Sequence, residues 1–200
     1  MSNKYNYFDC DISNVEKDIE DIDLRKEFDY MNDEYGIDML YIRTNKRIRC
    51  KCYNPRTKDG DSKCKICGGK GKVCSIENVK GIRQNFERPV TEQYLKIGLS
   101  ASNTAIIYFS NKVAPVINDE ILIVAYDRSG DTPIPVNISM SLKIIMLEKV
   151  RGDKGRVEGY RCFSKFAPEK VVLNQRRLNA IPPTDKKKIM KGFRYTWPEL

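Results

Sequence analysis

The sequence predicts a mainly β protein, a small β-barrel or sandwich that carries an N-terminal helix and an inserted cysteine knuckle. Three observations lead to this class. Short apolar or alternating runs, separated by turn-rich stretches, fill residues 80–166. A helical pattern precedes them, and four cysteines are crowded into residues 50–67. A chain of 200 residues can bury one medium-sized core.

The N-terminal helix is predicted from its start signal and its period. Ser13-Asn-Val-Glu16 is a capping box, in which the serine and glutamate side chains each accept a hydrogen bond from the other residue's backbone N–H. Apolar side chains then recur at a mostly helical spacing, and Gly36 is a natural stop. We expect a helix over about 14–35 and an extended segment over 37–49. Residues 1–45 would form an acidic helical arm and a first strand.

The cysteine knuckle, predicted over residues 46–76, is the strongest chemical signal in the chain. Cys50-x-Cys52 and Cys64-x-x-Cys67 are joined by a polar, turn-forming loop, and Gly69 and Gly71 follow. Two closely spaced thiolate pairs suit a tetrahedral zinc site, and residues 72–76 would return as a strand to complete a zinc-ribbon-like hairpin. The glycines can adopt positive φ, which turns backbone N–H groups toward the sulfurs.

Other interpretations of the cysteines remain open at this stage. A pair of disulfides is the main alternative to zinc, and four unrelated free thiols is the simplest one. We expect Cys10, Cys74 and Cys162 to be buried free thiols, because a reducing cytoplasm favours metal binding and free thiols over disulfides.

The β-domain is predicted over residues 77–167. Its runs are typical of short strands, and the Gly152–Gly155 turn predicts a hairpin. The run from Ile121 to Tyr126 is apolar on both faces, as in a central strand. Closing the strands into a barrel would remove exposed edges. The predicted strands cover 105–109, 121–126, 138–150 and 156–163.

The C-terminal region, residues 168–200, is predicted to be a basic docking tail. A short helix could run from 167 to about 178, after which Pro182 and Pro183 are expected to stop regular structure. The tail could dock on its own domain or on a neighbour. The candidate interaction residues are Arg176, Arg177, Lys186, Lys187, Lys188 and Trp197.

Composition limits the classes of function. The chain contains no histidine, which removes the usual general base, and it has no phosphate-binding glycine loop or nucleophile elbow. We expect a non-enzyme without a small-molecule substrate. The longest apolar run is too short for a membrane span, and the N-terminus lacks the pattern of a signal peptide. The net charge of +9 is compatible with contact to nucleic acid or an acidic protein.

The arrangement resembles virion proteins of tailed bacteriophages, in which a knuckle of the form CxC(W/Y)NPxTxxxDxxCxxCxGxG precedes a small barrel. The resemblance covers about residues 30–165, and the NDEILIV segment is similar to the GDxI strand of that family, with Asn118 in place of the glycine. The matching knuckle residues are Cys50, Cys52, Tyr53, Asn54, Pro55, Thr57, Asp61, Cys64, Cys67, Gly69 and Gly71.

The resemblance implies a structural protein of the virion neck, assembled in the host cytoplasm. It would form a homo-oligomeric head-closure ring between portal or adaptor proteins and tail proteins, with passing contact to DNA. A baseplate protein and a nucleic-acid-binding zinc-ribbon protein are the alternatives. A chaperone-type zinc domain is disfavoured, because such domains carry several CxxCxGxG copies and this chain has one.

Overall fold

A computed structural model describes residues 23–64, 66–67, 69–85, 104–152, 155–166 and 172–196. The predicted fold class is confirmed, since the protein is mainly β with an N-terminal helix and a large antiparallel sheet. No helix in the described ranges is long and apolar enough to span a membrane. The elements are α1 (Leu24–Tyr35), β1 (Ile37–Arg49), β2 (Lys72–Asn85), β3 (Thr104–Ser110), β4 (Glu120–Asp127), β5 (Ile134–Arg151), β6 (Val157–Phe166), α2 (Gln175–Ala180), α3 (Pro183–Met190) and β7 (Tyr195–Thr196).

The sheet closes on itself. Its strand order is β1-β4-β5-β6-β3-β2-β7, and β1 also pairs with β2, so β1 to β6 form a closed antiparallel barrel. The short β7 adds to β2 beside that closure. Of the two predicted architectures, barrel and sandwich, the pairing therefore corresponds to the barrel. Closure leaves neither β1 nor β2 as an unpaired edge.

Alternation along β1 and β4 builds two apolar cores, one on each side of the barrel wall. Met39 and Tyr41 point into the barrel, whereas Leu40 and Ile42 point outward, and all four are fully buried. On β4, Ile121 lies inside and Leu122 outside. Because both faces of these strands are covered, their sequences are continuous apolar runs and do not alternate between apolar and polar residues.

The outer core is completed by the C-terminal segment, residues 172–196. It contributes Val172, Leu173, Leu178, Ile181 and Ile189, all buried against the outer faces of β1, β2 and β4. The described part of the predicted tail therefore docks on its own domain, which was one of the two outcomes left open.

Two predictions for this segment are wrong. Pro183 does not stop regular structure but begins α3, at a helical position where the missing N–H costs nothing. The short helix expected from 167 to about 178 begins later, since residues 172–174 are not helical. It is α2, which begins at Gln175, where the Asn174 side chain accepts a hydrogen bond from the Arg177 N–H.

The N-terminal helix ends where the sequence predicts, at Tyr35, although Gly36 is extended rather than left-handed there. The glycine is needed for space, because a Cβ on it would lie 2.1 Å from the carbonyl oxygen of Asn32. Phe28 packs the helix onto the barrel at Gly159, where a Cβ would lie 2.6 Å from the Phe28 ring. The helix begins at Leu24, where the Asp23 side chain accepts the Arg25 N–H, so the continuous helix expected over 14–35 is wrong at residue 23. The predicted capping box at Ser13 and Glu16, and Cys10, lie outside the described residues.

The domain boundaries differ from those expected. Residues 37–45 were assigned to the N-terminal arm as its first strand, but they belong to β1, which pairs with both β2 and β4 and is part of the barrel. Residues 46–49 and 72–76, assigned to the knuckle, belong to β1 and β2. The knuckle proper is therefore the connection from Cys50 to Gly71, inserted between two barrel strands.

Candidate metal centre

The ends of β1 and β2 fix both ends of the cysteine knuckle. Arg49 pairs with Lys72, and the Cys50 N–H donates to the Gly71 carbonyl at 3.0 Å. Short turns then position the thiols, since the Tyr53 N–H donates to the Cys50 carbonyl and the Cys64 N–H to the Asp61 carbonyl. The predicted turn chemistry of the loop is present, because the side chains of Asn54 and Asp61 each accept a backbone N–H two residues ahead.

The four predicted ligands, Cys50, Cys52, Cys64 and Cys67, converge on one point. Their sulfurs all lie within 4.8 Å of one another, and none of them is in a disulfide. The distances are 3.7 Å from Cys50 to Cys64 and 3.3 Å from Cys52 to Cys67. Metal–sulfur bonds of about 2.3 Å in a tetrahedron require sulfurs about 3.8 Å apart. The cluster is therefore compatible with a metal site, and it is the only such group among the described residues.

Glycines allow the knuckle backbone to pass close to itself. Gly69 and Gly71 both have positive φ, as the sequence predicts, and the Gly71 N–H donates to the Cys67 sulfur at 3.3 Å. A Cβ on Gly71 would lie 2.8 Å from the Tyr53 ring. A Cβ on Gly60 would lie 2.5 Å from the Gly71 nitrogen and 3.1 Å from the Cys52 sulfur. A side chain at Gly60 or Gly71 would therefore force the knuckle backbone to shift.

The thiols have unequal proton affinities. Burial raises the pKa of Cys50, and it raises the pKa of Cys52 to about 12, with the Cys67 thiol adding to the shift. Burial also acts to raise the pKa of Cys64, but hydrogen bonds from the N–H groups of Cys67 and Ile66 outweigh it and lower that pKa to about 7. Four thiolates at this spacing need a cation to offset their charge, so metal binding here would release protons.

A buried ion pair ties the knuckle to the barrel. The Lys70 ammonium lies 2.7 Å from a carboxylate oxygen of Glu120, whose side chain is 2% exposed. The other oxygen of Glu120 accepts the backbone N–H of Val172 at 2.8 Å. One carboxylate at the start of β4 thus holds the knuckle and the C-terminal segment together.

A second contact joins the same two segments. The Arg177 guanidinium donates to the carbonyl of Cys64 at 2.7 Å and to the carbonyl of Val172 at 2.6 Å. Arg177 was predicted as an interaction residue, and the structure places it inside the molecule's own junction. Arg177 is partly buried there, and Lys186 is buried. Arg176, Lys187 and Lys188 are exposed, and Trp197 lies outside the described residues.

The remaining described cysteines, Cys74 and Cys162, are not part of the cluster. Cys74 belongs to the outer core and Cys162 to the interior of the barrel, both buried. Burial raises the pKa of Cys74 to about 11 and that of Cys162 to about 12. The prediction of buried free thiols is confirmed for these two.

Sequence reasoning missed two buried acids, Asp119, which directly precedes β4, and Glu120, which begins it. Asp119 accepts the Tyr41 hydroxyl at 2.7 Å and the Thr44 N–H at 3.1 Å, and burial raises its pKa. The sequence did contain a signal for them, since both acids directly precede the five apolar residues 121–125. Acidic side chains beside a buried central strand are seldom left without partners, so a buried pairing could have been predicted.

Comparison of the chain with family models and with curated proteins found no match.

Replacing Gly71 by alanine tests the close approach of the knuckle backbone. Gly71→Ala adds a Cβ that meets Tyr53 at a left-handed φ of 67°, so we expect loss of metal binding and a lower melting temperature. Gly155→Ala is the matched control, because Gly155 has φ 71° but nothing within 4 Å of the added Cβ. It should cost only about 1–2 kcal/mol of left-handed strain and leave metal binding unchanged. Equal metal content in the two variants would contradict the packing argument.

Breaking the buried ion pair should destabilise the fold. Glu120→Gln leaves the Lys70 ammonium without its partner, and we expect a loss of about 3–5 kcal/mol in the free energy of unfolding measured by urea denaturation. Adding Lys70→Met should recover part of that loss. Lys188→Met is the control, since its 3.3 Å pair with Asp185 is exposed and should contribute no more than about 1 kcal/mol. If Glu120→Gln lowered the free energy of unfolding by no more than the Lys188→Met control does, the ion pair of Lys70 and Glu120 would not hold the junction.

Proposed function

We propose that this chain is a structural virion protein of a tailed bacteriophage, a zinc-stabilised subunit of the neck ring that joins the portal and capsid to the tail. The observation that carries the proposal is the four-cysteine knuckle, anchored by Glu120 and Arg177 between a closed barrel and the C-terminal segment. A knuckle fixed at both ends suits a rigid connector. A four-thiolate site has no open position for a substrate, so its role is mechanical.

Zinc fits the donor set better than the other common metals. Four thiolates at the corners of a tetrahedron favour zinc or iron–sulfur chemistry over magnesium or calcium, which take oxygen ligands. Cys50, Cys52, Cys64 and Cys67 would hold the ion, and the Gly71 N–H would share the charge of the Cys67 sulfur. A bound ion would cross-link the two cysteine pairs and so hold the loop between them.

A further observation supports the resemblance to head-closure barrels. The family has glycine where this chain has Asn118, and Asn118 has φ 75°, a left-handed conformation that glycine adopts freely and asparagine tolerates. Its N–H donates to the Ile144 carbonyl, which fixes the turn before β4. The substitution is therefore compatible with the same local backbone.

Removing two ligands tests the metal part of the proposal. Cys64→Ser combined with Cys67→Ser should reduce zinc, measured by elemental mass spectrometry, from about one ion per chain to near zero. Hydrogen exchange over residues 46–76 should rise at the same time. Cys162→Ser is the control, because this buried cysteine lies outside the cluster, and zinc content should persist. Pure wild-type protein without zinc would refute this part.

Deleting the gene from its phage genome tests the place in the virion. A neck subunit is needed to join head to tail, so we expect unjoined heads and tails in electron micrographs, and recovery of joined particles when the protein is supplied in trans. Closed heads carrying tails with a defective tip would instead indicate the baseplate. Normal particles would refute a structural role.

A nucleic-acid-binding zinc-ribbon protein is the second candidate. The hydrogen bond from Arg177 to the Cys64 carbonyl favours it, because the contact brings the basic knuckle and the basic C-terminal segment together. Binding would then weaken steeply with salt as counterions are released. Filter binding of duplex and single-stranded DNA at two salt concentrations distinguishes the candidates, since a connector should bind only weakly and without a defined site.

A further inference from the structure

The exposed side of α1 combines apolar and acidic residues. The exposed side chains along the helix carry three acids against one lysine, and we call them the acidic face: Leu24, Lys26, Glu27, Tyr30, Met31, Asp33, Glu34 and Tyr35. Tyr30 is 59% exposed and Tyr35 69%. Exposed tyrosines and aliphatic side chains grouped on one helix mark interaction surfaces, in which Tyr and Met are enriched.

The C-terminal segment presents the opposite charge. Residues 172–196 contain seven lysines and arginines but one acid, Asp185, which pairs with Lys188. We call its exposed side the basic face. It consists of Arg176, Lys187, Lys188, Lys191 and Phe193. Phe193 is 63% exposed, so this face also offers an apolar side chain beside its charges.

The two faces belong to neighbouring parts of the barrel surface. α1 packs on β2, β3 and β6, and the apolar side chains of the C-terminal segment pack on β1, β2 and β4, so both segments reach β2. Met190 of α3 lines the same pocket as Asp29 and Asn32 of α1. Every copy therefore carries both charges, and head-to-tail contacts between copies close into a ring when the rotation allows.

We propose that the acidic face of one copy docks on the basic face of the next, so that a second copy of this chain is the partner of both. The inference rests on the ring assembly proposed above and assigns its two faces. Tyr30, Met31 and Tyr35 would pack with Phe193, and Glu27 and Glu34 would lie against Lys187 and Lys191. Charge complementarity sets the direction of the contact, because two acidic faces or two basic faces repel each other.

Charge-reversal variants of the full chain test the assignment by sedimentation velocity. The wild type should associate as concentration rises at about 0.1 M salt and dissociate at about 1 M, where screening is short-ranged. Glu27→Lys with Glu34→Lys removes the acidic face, and Lys187→Glu with Lys191→Glu removes the basic face. Each variant should sediment as a monomer when measured alone. An equimolar mixture of the two should associate again, because each variant supplies the charge that the other lacks.

The control is Lys149→Glu with Lys165→Glu, which makes the same charge change at exposed positions on β5 and β6. It should associate like the wild type. A wild type that stays monomeric at the lower salt, a mixture that stays monomeric, or an equal effect of the control would overturn the assignment. If the acidic-face variant were monomeric while the basic-face variant still associated, the assignment would be overturned in favour of pairing between two α1 helices. Association is measured without phage components, so its failure is distinct from failure of the neck assignment.

Discussion

The buried carboxylate of Glu120 is the contact on which the arrangement of the other parts depends. One oxygen binds the Lys70 ammonium of the knuckle, and the other accepts the Val172 N–H of the C-terminal segment. A carboxylate that is almost fully buried is stable only when its oxygens are satisfied. The knuckle, the barrel and the C-terminal segment must therefore be in place together. Arg177 strengthens the same junction from the other side, since it donates to both Val172 and Cys64.

This junction explains why the barrel wall is apolar on both faces. The inner residues of β1 and β4 fill the barrel, and the outer ones need a cover, which the C-terminal segment provides through Leu173, Leu178 and Ile189. The cover is held in register by Glu120 at one end and by the pairing of β7 with β2 at the other. The basic residues of that segment are then fixed in space, rather than carried on a free tail, which gives the basic face a defined shape.

Local signals made much of the fold predictable from the sequence. Alternation and turn residues located the strands, and the spacing of Cys50, Cys52, Cys64 and Cys67 located the candidate metal site. What could not be predicted depends on pairing between distant segments. Nothing local to residues 37–49 shows that they close the barrel by pairing with both β2 and β4. Likewise, Pro183 signals a break or a helix start equally well, and tertiary contacts decide between them. The role of Glu120 also emerges only when three segments meet.

The composition of the knuckle explains why a bound metal would stabilise it. Between Cys50 and Gly71, Tyr53 and Ile66 are the only large apolar residues other than the cysteines, so the loop cannot build a core of its own. Hydrogen bonds to β1 and β2 and the contacts of Lys70 and Arg177 fix its base. Residues 54–59, at its outer end, are exposed. Linking Cys52 to Cys67 through an ion would transmit the rigidity of the base to that outer end. A loop stiffened in this way can present a fixed surface to a neighbouring subunit, whereas an open metal site would be needed for chemistry.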